Sequence, residues 1–280
     1  MKSLNQITCK AALLLVLTAN LGYAQVPPPP PPKEPLPPKA PAIEMVFVQG
    51  GSFTMGCTNE QGDDCSDWEK PARKVTVYSF NIGKYPVTQG QWKAVMGNNP
   101  SQFSKGDNYP VENVSYEDAL EFIFKLSVLT GKRYRLPEER EWEYAARGGS
   151  KSKGYKFSGS NNMNDVGWHE GNSGESTHPV GAKQPNELGI YDMSGNVWEW
   201  CSDWNQPYPG YKDNSTAGKL QELMELMGGG GEKTEYPRVE RIVRGGSWYS
   251  KAKECRVPTR GMTIPQLEDN GLGFRLVLPE

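Results

Sequence analysis

The sequence predicts a single domain of the α/β (α+β) class over residues 43–280, and three observations carry this prediction. Short segments with alternating apolar residues predict strands. Segments that begin at a capping residue and continue with a helical apolar period predict helices. The chain after Gly149 is dense in Gly, Asn and Pro, which predicts loops joined by short strands. Because the composition stays steady and no second linker interrupts it, one domain fits better than two.

The first predicted elements lie at the start of this domain. Residues 45–56 (MVFVQGGSFTMG) predict a strand that turns at Gly50-Gly51 into a second short strand, and residues 74–82 (KVTVYSFNI) alternate like one half-buried strand. A helix is then predicted after Thr88, which is its N-cap. Gln91 stands in the capping-box position, and Gly97 ends the helix.

Two amphipathic helices are predicted next. Ser115 caps the first and Gly131 ends it, and its apolar residues share one helical face: Ala119, Phe122, Ile123, Leu126 and Leu129. In residues 134–149 (YRLPEEREWEYAARGG), Pro137 suits the first helical position and glutamates follow near the positive end of the helix dipole. Gly148-Gly149 end this helix.

The N-terminal residues predict export. Residues 1–24 combine Lys2 and Lys10 with the apolar run AALLLVLTANLG and a small-x-small cleavage site at Gly22-Tyr23-Ala24, which is typical of a signal peptide. The run is shorter than the ~20 residues of a membrane helix, so no transmembrane segment is expected after cleavage. We expect a periplasmic, cell-surface-associated or secreted protein. Residues 25–42 are proline-rich and predict a polyproline II spacer of roughly 50 Å, with a docking ligand as the alternative.

The charge distribution excludes one class of partner. The formal net charge is -2, and Lys and Arg are scattered among Asp and Glu, so no nucleic-acid surface is predicted. One further helix is predicted in an insertion, residues 216–231, which ends in four glycines. Its apolar stripe either packs onto the domain or binds a partner: Leu220, Leu223, Met224 and Met227.

Four cysteines remain after removal of the leader: Cys57, Cys65, Cys201 and Cys255. An even number in an exported chain indicates disulfides, with three pairings open. Cys57 and Cys65 flank a short polar loop and can bond locally, which leaves Cys201 for Cys255. We therefore expect a Cys201–Cys255 disulfide, with a free Cys255 thiol as the alternative.

Seven ordered phrases resemble the formylglycine-generating enzyme family, also called sulfatase-modifying factors. They are GGSFTMG, YPVTQGQW, PVENVSYEDAL, YRLPEEREWEYAARGG, GIYDMSGNVWEW, VRGGSW and GLGFR, and they extend from about Ile43 to the C-terminus. The resemblance implies a compact domain akin to the C-type lectin fold, with low regular secondary structure and function carried by loops. Fold alone does not settle the chemistry.

Enzymes of this family oxidise a sulfatase cysteine to formylglycine with oxygen and a Cu(I) ion held by two cysteine thiolates. The two cysteines stand three and eight residues after the serine of RGGS. That serine is Ser247 here, so the positions are Ser250 and Cys255. A serine hydroxyl is a hard ligand with a pKa far above that of a thiol, and it cannot replace a thiolate on Cu(I). The resemblance thus argues against bound copper.

Two other branches of the fold are not supported. One holds non-haem iron with three histidines, whereas this chain has His169 and His178 alone. Another displays asparagine-rich variable residues, and residues 250–270 are not of that type.

A structural Ca²⁺ site is implied by YDMSGNVWE. The family pattern maps onto the Asp192 side chain, the Gly195 and Val197 carbonyls and the Glu199 carboxylate, which are hard oxygen ligands suited to Ca²⁺. The alternative is that Asp192 caps the turn and Glu199 pairs with an arginine. A second family site would fall near Asp165, Val166, Asn172 and Gly174, but the loop alignment leaves it unsupported.

Two functions follow from these observations. The first is an exported binding or assembly module that takes a protein, peptide or glycan in the groove of the family scaffold. The second is an active formylglycine-generating oxidase, or another enzyme that uses Ser247, Ser250 and Cys255. Neither histidine is placed in sequence as a partner for these serines, which argues against a Ser-His-Asp site.

Overall fold

The computed structural model describes residues 40–211 and 238–280, which belong to one compact unit. The predicted signal peptide, most of the proline-rich spacer and the insertion 216–231 lie outside the described residues. Within the described part, no helix has the length and apolar character needed to cross a membrane.

Nine strands are present in the described part, in three small sheets. The strands are β1 (Met45–Val48), β2 (Gly51–Met55), β3 (Arg73–Val77), β4 (Phe80–Gly83), β5 (Trp198–Trp204), β6 (Arg241–Arg244), β7 (Arg260–Thr263), β8 (Leu272–Gly273) and β9 (Val277–Pro279). The sheet orders are β1-β4-β9, β2-β3 and β7-β6-β5-β8. All pairs are antiparallel except β5 with β8.

The single strand predicted over residues 74–82 is in fact two, β3 and β4. Its partner segment also breaks, at Gly50-Gly51, so that β1 pairs with β4 while β2 pairs with β3. The two breaks touch: a Cβ on Gly50 would lie 2.7 Å from the Ser79 nitrogen, and the Gly50 N–H donates to the Ser79 hydroxyl. Both segments therefore pass from one sheet to the other at the same crowded corner. Glycine at position 50 allows this close backbone approach.

Three of the predicted helices are present in the described part, together with one short helix that was not predicted. They are α1 (Gln89–Met96), α2 (Tyr116–Thr130), α3 (Glu139–Ala146) and a single turn, α4 (Met163–Val166). Thr88 and Ser115 both form complete capping boxes, and Gly97 and Gly131 end α1 and α2 with φ of 82° and 69°. α3 begins later than predicted, because Glu138 is its N-cap and Pro137 precedes that cap.

Two apolar clusters fill the space between these elements. One lies between α3 and the N-terminal sheets and contains Trp142, Phe80 and Ile82. The other joins α1 and α2 to the four-stranded sheet, where Trp92 stacks on Phe122 at 5.3 Å between ring centroids. The face of α2 predicted to be apolar is buried at Ala119, Phe122, Ile123 and Leu126, while Leu129 is half-buried.

Buried ion pairs connect α3 to the later strands. Glu139 accepts hydrogen bonds from Arg260, and Glu143 pairs with Arg244 and Arg147. These carboxylates and guanidiniums are nearly or fully buried. Removing one partner of such a pair leaves an uncompensated buried charge, which is strongly destabilising. The glutamates of the α3 motif therefore hold the framework of the domain together.

Candidate functional site

The turn that follows β6 carries the residues aligned with the family's copper site. Gly245 and Gly246 have φ of 99° and 78°, and they lead into the Ser247–Ser250 turn and a 3₁₀ helix, Ala252–Cys255. A Cβ on Gly246 would lie 2.5 Å from the Cys255 sulfur. Glycine is required here for both reasons, since an L side chain would be strained and would displace the thiol.

Ser247 and Ser250 are in contact. The Ser247 N–H donates to Ser250 Oγ at 3.1 Å, and the two hydroxyl oxygens are 3.3 Å apart. Both side chains are buried. The structure thus brings together these two predicted site residues, and Ser250 Oγ serves as an acceptor that closes the turn.

Cys255 lies in a different environment. Its side chain is buried in a small apolar cluster with Phe157, Met163 and Val166. Burial raises the pKa of the Cys255 thiol, and the nearby Glu254 carboxylate raises it further. The thiol therefore stays protonated at neutral pH and lacks the thiolate character on which reactivity depends.

The predicted Cys201–Cys255 disulfide is wrong, and both cysteines are free. Cys201 lies on β5 within the cluster beneath α3, whereas Cys255 belongs to the cluster with Phe157, so the fold places the two sulfurs in separate parts of the core. Burial also raises the pKa of the Cys201 thiol. The local Cys57–Cys65 disulfide is confirmed.

Both histidines are engaged away from the serine pair. The His169 ring bonds to the Asn164 side chain at 3.0 Å. His178 stacks on Trp168, and its ring nitrogen lies 2.6 Å from the Ser173 carbonyl oxygen. Within the described residues, neither ring is hydrogen-bonded to Ser247 or Ser250, so the serines have no imidazole base.

One of the predicted calcium ligands, Glu199, is already paired with a cationic side chain. Both carboxylate oxygens of Glu199 accept from the Arg275 guanidinium, at 2.6 and 2.7 Å, and one also accepts from Trp142 Nε1. A fixed cation in this position satisfies the carboxylate and repels a metal ion. The alternative reading, in which Glu199 pairs with an arginine, describes this geometry.

The other predicted ligands of that loop lie close by. Asp192 is buried and accepts from the Gly181 N–H at 2.7 Å and the Asn196 amide at 3.4 Å. Gly195 has φ of 82° and donates to the Gly245 carbonyl, while Val197 is buried in the loop that leads into β5. Calcium binding at this loop stays a prediction.

At the second family calcium position, the predicted oxygen ligands also accept hydrogen bonds from neighbouring residues. Asp165 accepts from the Ser160 hydroxyl and the Asn162 amide, and Asn172 Oδ1 accepts from the His169 N–H. Val166 packs beside Cys255, and Gly174 has φ of 59°. Throughout residues 40–211 and 238–280, no group of three His, Cys, Asp or Glu side chains is arranged to hold a metal.

A cavity lined in part by Tyr249 was not predicted. It has a volume of about 270 Å³ and lies on one face of the four-stranded sheet, with lining residues from all four strands. Tyr249 forms one wall: its ring packs onto Gly271, where a Cβ would be 2.5 Å away, and its hydroxyl donates to Asp269 at 2.8 Å. The sequence feature that could have indicated this cavity is the pair of aromatic residues after RGGS, Trp248 and Tyr249. The direction in which each ring points depends on the tertiary fold.

This chain has relatives among known proteins. The model of the family described as "Sulfatase-modifying factor enzyme 1-like domain" matches residues 32–279. The chaperone protein LppX of Paenibacillus barcinonensis is 33% identical over 82% of this chain and 86% of its own length. The formylglycine-generating enzyme of Thermomonospora curvata is 33% identical over 85% of this chain and 94% of its own length. The structure of PvdO from Pseudomonas aeruginosa superposes with a TM-score of 0.67 at 28% identity, covering 84% of this chain and 94% of PvdO.

Proposed function

Because this chain belongs to the sulfatase-modifying factor family, we propose that it uses the family scaffold as a binding or assembly module and has lost the two-cysteine copper oxidase site. One observation carries the proposal. The position of the first copper-ligating cysteine is occupied by Ser250, whose hydroxyl is buried and held by Ser247.

The chemistry of the remaining donor set supports this loss. Cu(I) selects soft thiolate ligands, and a hydroxyl is neither soft nor deprotonated at neutral pH. Cys255 supplies a single thiol, and burial in an apolar cluster favours its protonated form. Binding copper there would require deprotonating one buried thiol without a second thiolate to share the ion. The residues therefore do not fit the copper centre.

The named relatives support both a binding role and the enzymatic alternative. One relative with high coverage is named a chaperone, and others are named formylglycine-generating enzymes. Proteins that share one scaffold can have different activities, because function depends on the residues of the site. The serine at position 250 supports the binding role over the oxidase. Export through the N-terminal residues is part of the proposal, and calcium is not required by it.

The test is a direct oxidase assay with a matched gain-of-ligand variant. The purified chain is incubated with Cu(I), oxygen and a peptide that carries a sulfatase cysteine motif. The mass of the peptide is then measured by mass spectrometry. We expect no aldehyde product and no stoichiometric copper in the wild-type protein by elemental analysis. Ser250→Cys restores the missing thiol and is expected to increase copper retention. A copper-dependent aldehyde product from the wild-type chain would show that it is an oxidase.

A further inference from the structure

The cavity beside Tyr249 has walls that suit one extended side chain. Its volume of about 270 Å³ is below the ~300–1,000 Å³ of pockets for drug-sized ligands. Trp198 of β5 and Tyr249 supply aromatic surface, and Met262, Leu267 and Leu272 supply aliphatic surface. Tyr249 and Leu267 are 42% and 38% exposed, so the cavity opens to solvent.

The aromatic walls are fixed by close backbone approaches. A Cβ on Gly261 would lie 3.1 Å from the Trp198 ring, and a Cβ on Gly271 would lie 2.5 Å from the Tyr249 ring. Each glycine therefore lets a ring lie directly on the backbone. A ring seated in this way is preorganised, so little conformational entropy is lost when a ligand contacts it.

The charge inside the cavity is negative and unpaired. Among the described residues that line it, Asp269 alone carries a formal charge. Its Oδ1 accepts from the Tyr249 hydroxyl and the Gly271 N–H, both at 2.8 Å. In the described part of the chain, Oδ2 takes no hydrogen bond and no ion pair includes Asp269. Glu112, a second carboxylate, is close enough for the Asp269 charge to raise its pKa.

We propose that this cavity binds the side chain of a lysine or arginine from a partner polypeptide. The proposal rests on the proposed binding role and names the chemistry of its ligand. The aliphatic stem of such a residue would pack against Met262, Leu267 and Leu272, while its cationic end would meet Asp269 and the faces of Trp198 and Tyr249. Attraction of a cation to an aromatic face adds to the charge pairing. An anionic side chain is excluded by repulsion from Asp269.

The test compares two probes that differ in charge. N-acetyl-lysine methylamide and its neutral analogue N-acetyl-norleucine methylamide are titrated into the full chain, up to the tens of millimolar range, and binding is followed by the NMR signal of the Trp198 indole N–H. We expect the lysine probe to bind about tenfold more tightly, which corresponds to about 1.4 kcal/mol.

Two variants test whether the Asp269 carboxylate causes the preference for the lysine probe. Asp269→Asn keeps an oxygen that can accept from Tyr249 and Gly271, so the turn should persist while the lysine preference disappears. Glu268→Gln removes the same charge one residue away, from an exposed residue that does not line the cavity, and should leave the preference unchanged. An equal affinity for both probes, no shift of the indole signal, or a preference that survives Asp269→Asn would each overturn the proposal.

These outcomes are separable from the oxidase assay. Absence of a lysine preference in the wild-type chain, without aldehyde formation, rejects the cationic ligand and leaves the binding role standing. Aldehyde formation rejects the proposed function whatever the probes show.

Discussion

Replacing the buried Glu112 with glutamine is expected to remove part of the pH dependence of folding stability. Glu112 is fully buried, and its carboxylate accepts backbone N–H bonds from Gln102 and Phe103. Burial, with a smaller contribution from Asp269, raises its pKa to about 7 despite those bonds. In the unfolded chain the same group titrates near its ordinary value of 4.5.

The sign and size follow from these two pKa values. Between about pH 4.5 and 7 the folded protein keeps a proton that the unfolded chain has released, so the free energy of unfolding falls as the pH rises. Each pKa unit corresponds to about 1.36 kcal/mol, which gives a decrease of about 3 kcal/mol across this range. Glutamine has no proton to lose, so Glu112→Gln should show a shallower dependence by about that amount.

The assay is urea denaturation followed by tryptophan fluorescence at several pH values from 5 to 8, with wild type, Glu112→Gln and Glu117→Gln. Glu117 is exposed in the first turn of α2, so its variant controls for the loss of one carboxylate. Equal pH slopes for wild type and Glu112→Gln would refute the reasoning.

Two further predictions concern buried groups. Arg275→Gln leaves the buried Glu199 carboxylate without its cation and should lower the free energy of unfolding by about 3–5 kcal/mol. The control variant Lys125→Gln breaks an exposed pair and should change the free energy of unfolding by less than about 0.5 kcal/mol. Similar urea midpoints for both variants would contradict this prediction. A thiol assay on the denatured, unreduced chain from residue 25 onward should count two free thiols, Cys201 and Cys255, and a count of zero would mean that they are bonded.

Local elements of this domain could be predicted because short-range chemistry controls them. The Thr88 and Ser115 capping boxes and the Gly97 and Gly131 helix ends each depend on residues a few positions apart. The Cys57–Cys65 disulfide closes a loop of similar length. The split of the 74–82 strand could not be predicted, since it depends on contact with a segment some thirty residues away.

The sequence could propose residues for the candidate site but could not give their geometry. The sequence named Ser247 and Ser250 as candidate site residues, and the structure places them in contact in one tight turn. The pairing of Cys201 with Cys255 failed because cysteine counting carries no information on distance. The ion pair of Glu199 with Arg275 joins residues 76 positions apart, and no local pattern indicates which of several arginines will reach that carboxylate.

The sequence by itself determined the family, the boundaries of α1, α2 and α3 within a residue or two, and the presence of serine at position 250, since each of these is a matter of residue identity or short spacing. Tertiary structure decided the state of both free thiols, the partner of Glu199 and the existence of the cavity beside Tyr249. The physical reason is that burial and long-range packing set protonation, ion pairing and free volume, and these depend on which distant segments the folded chain brings together.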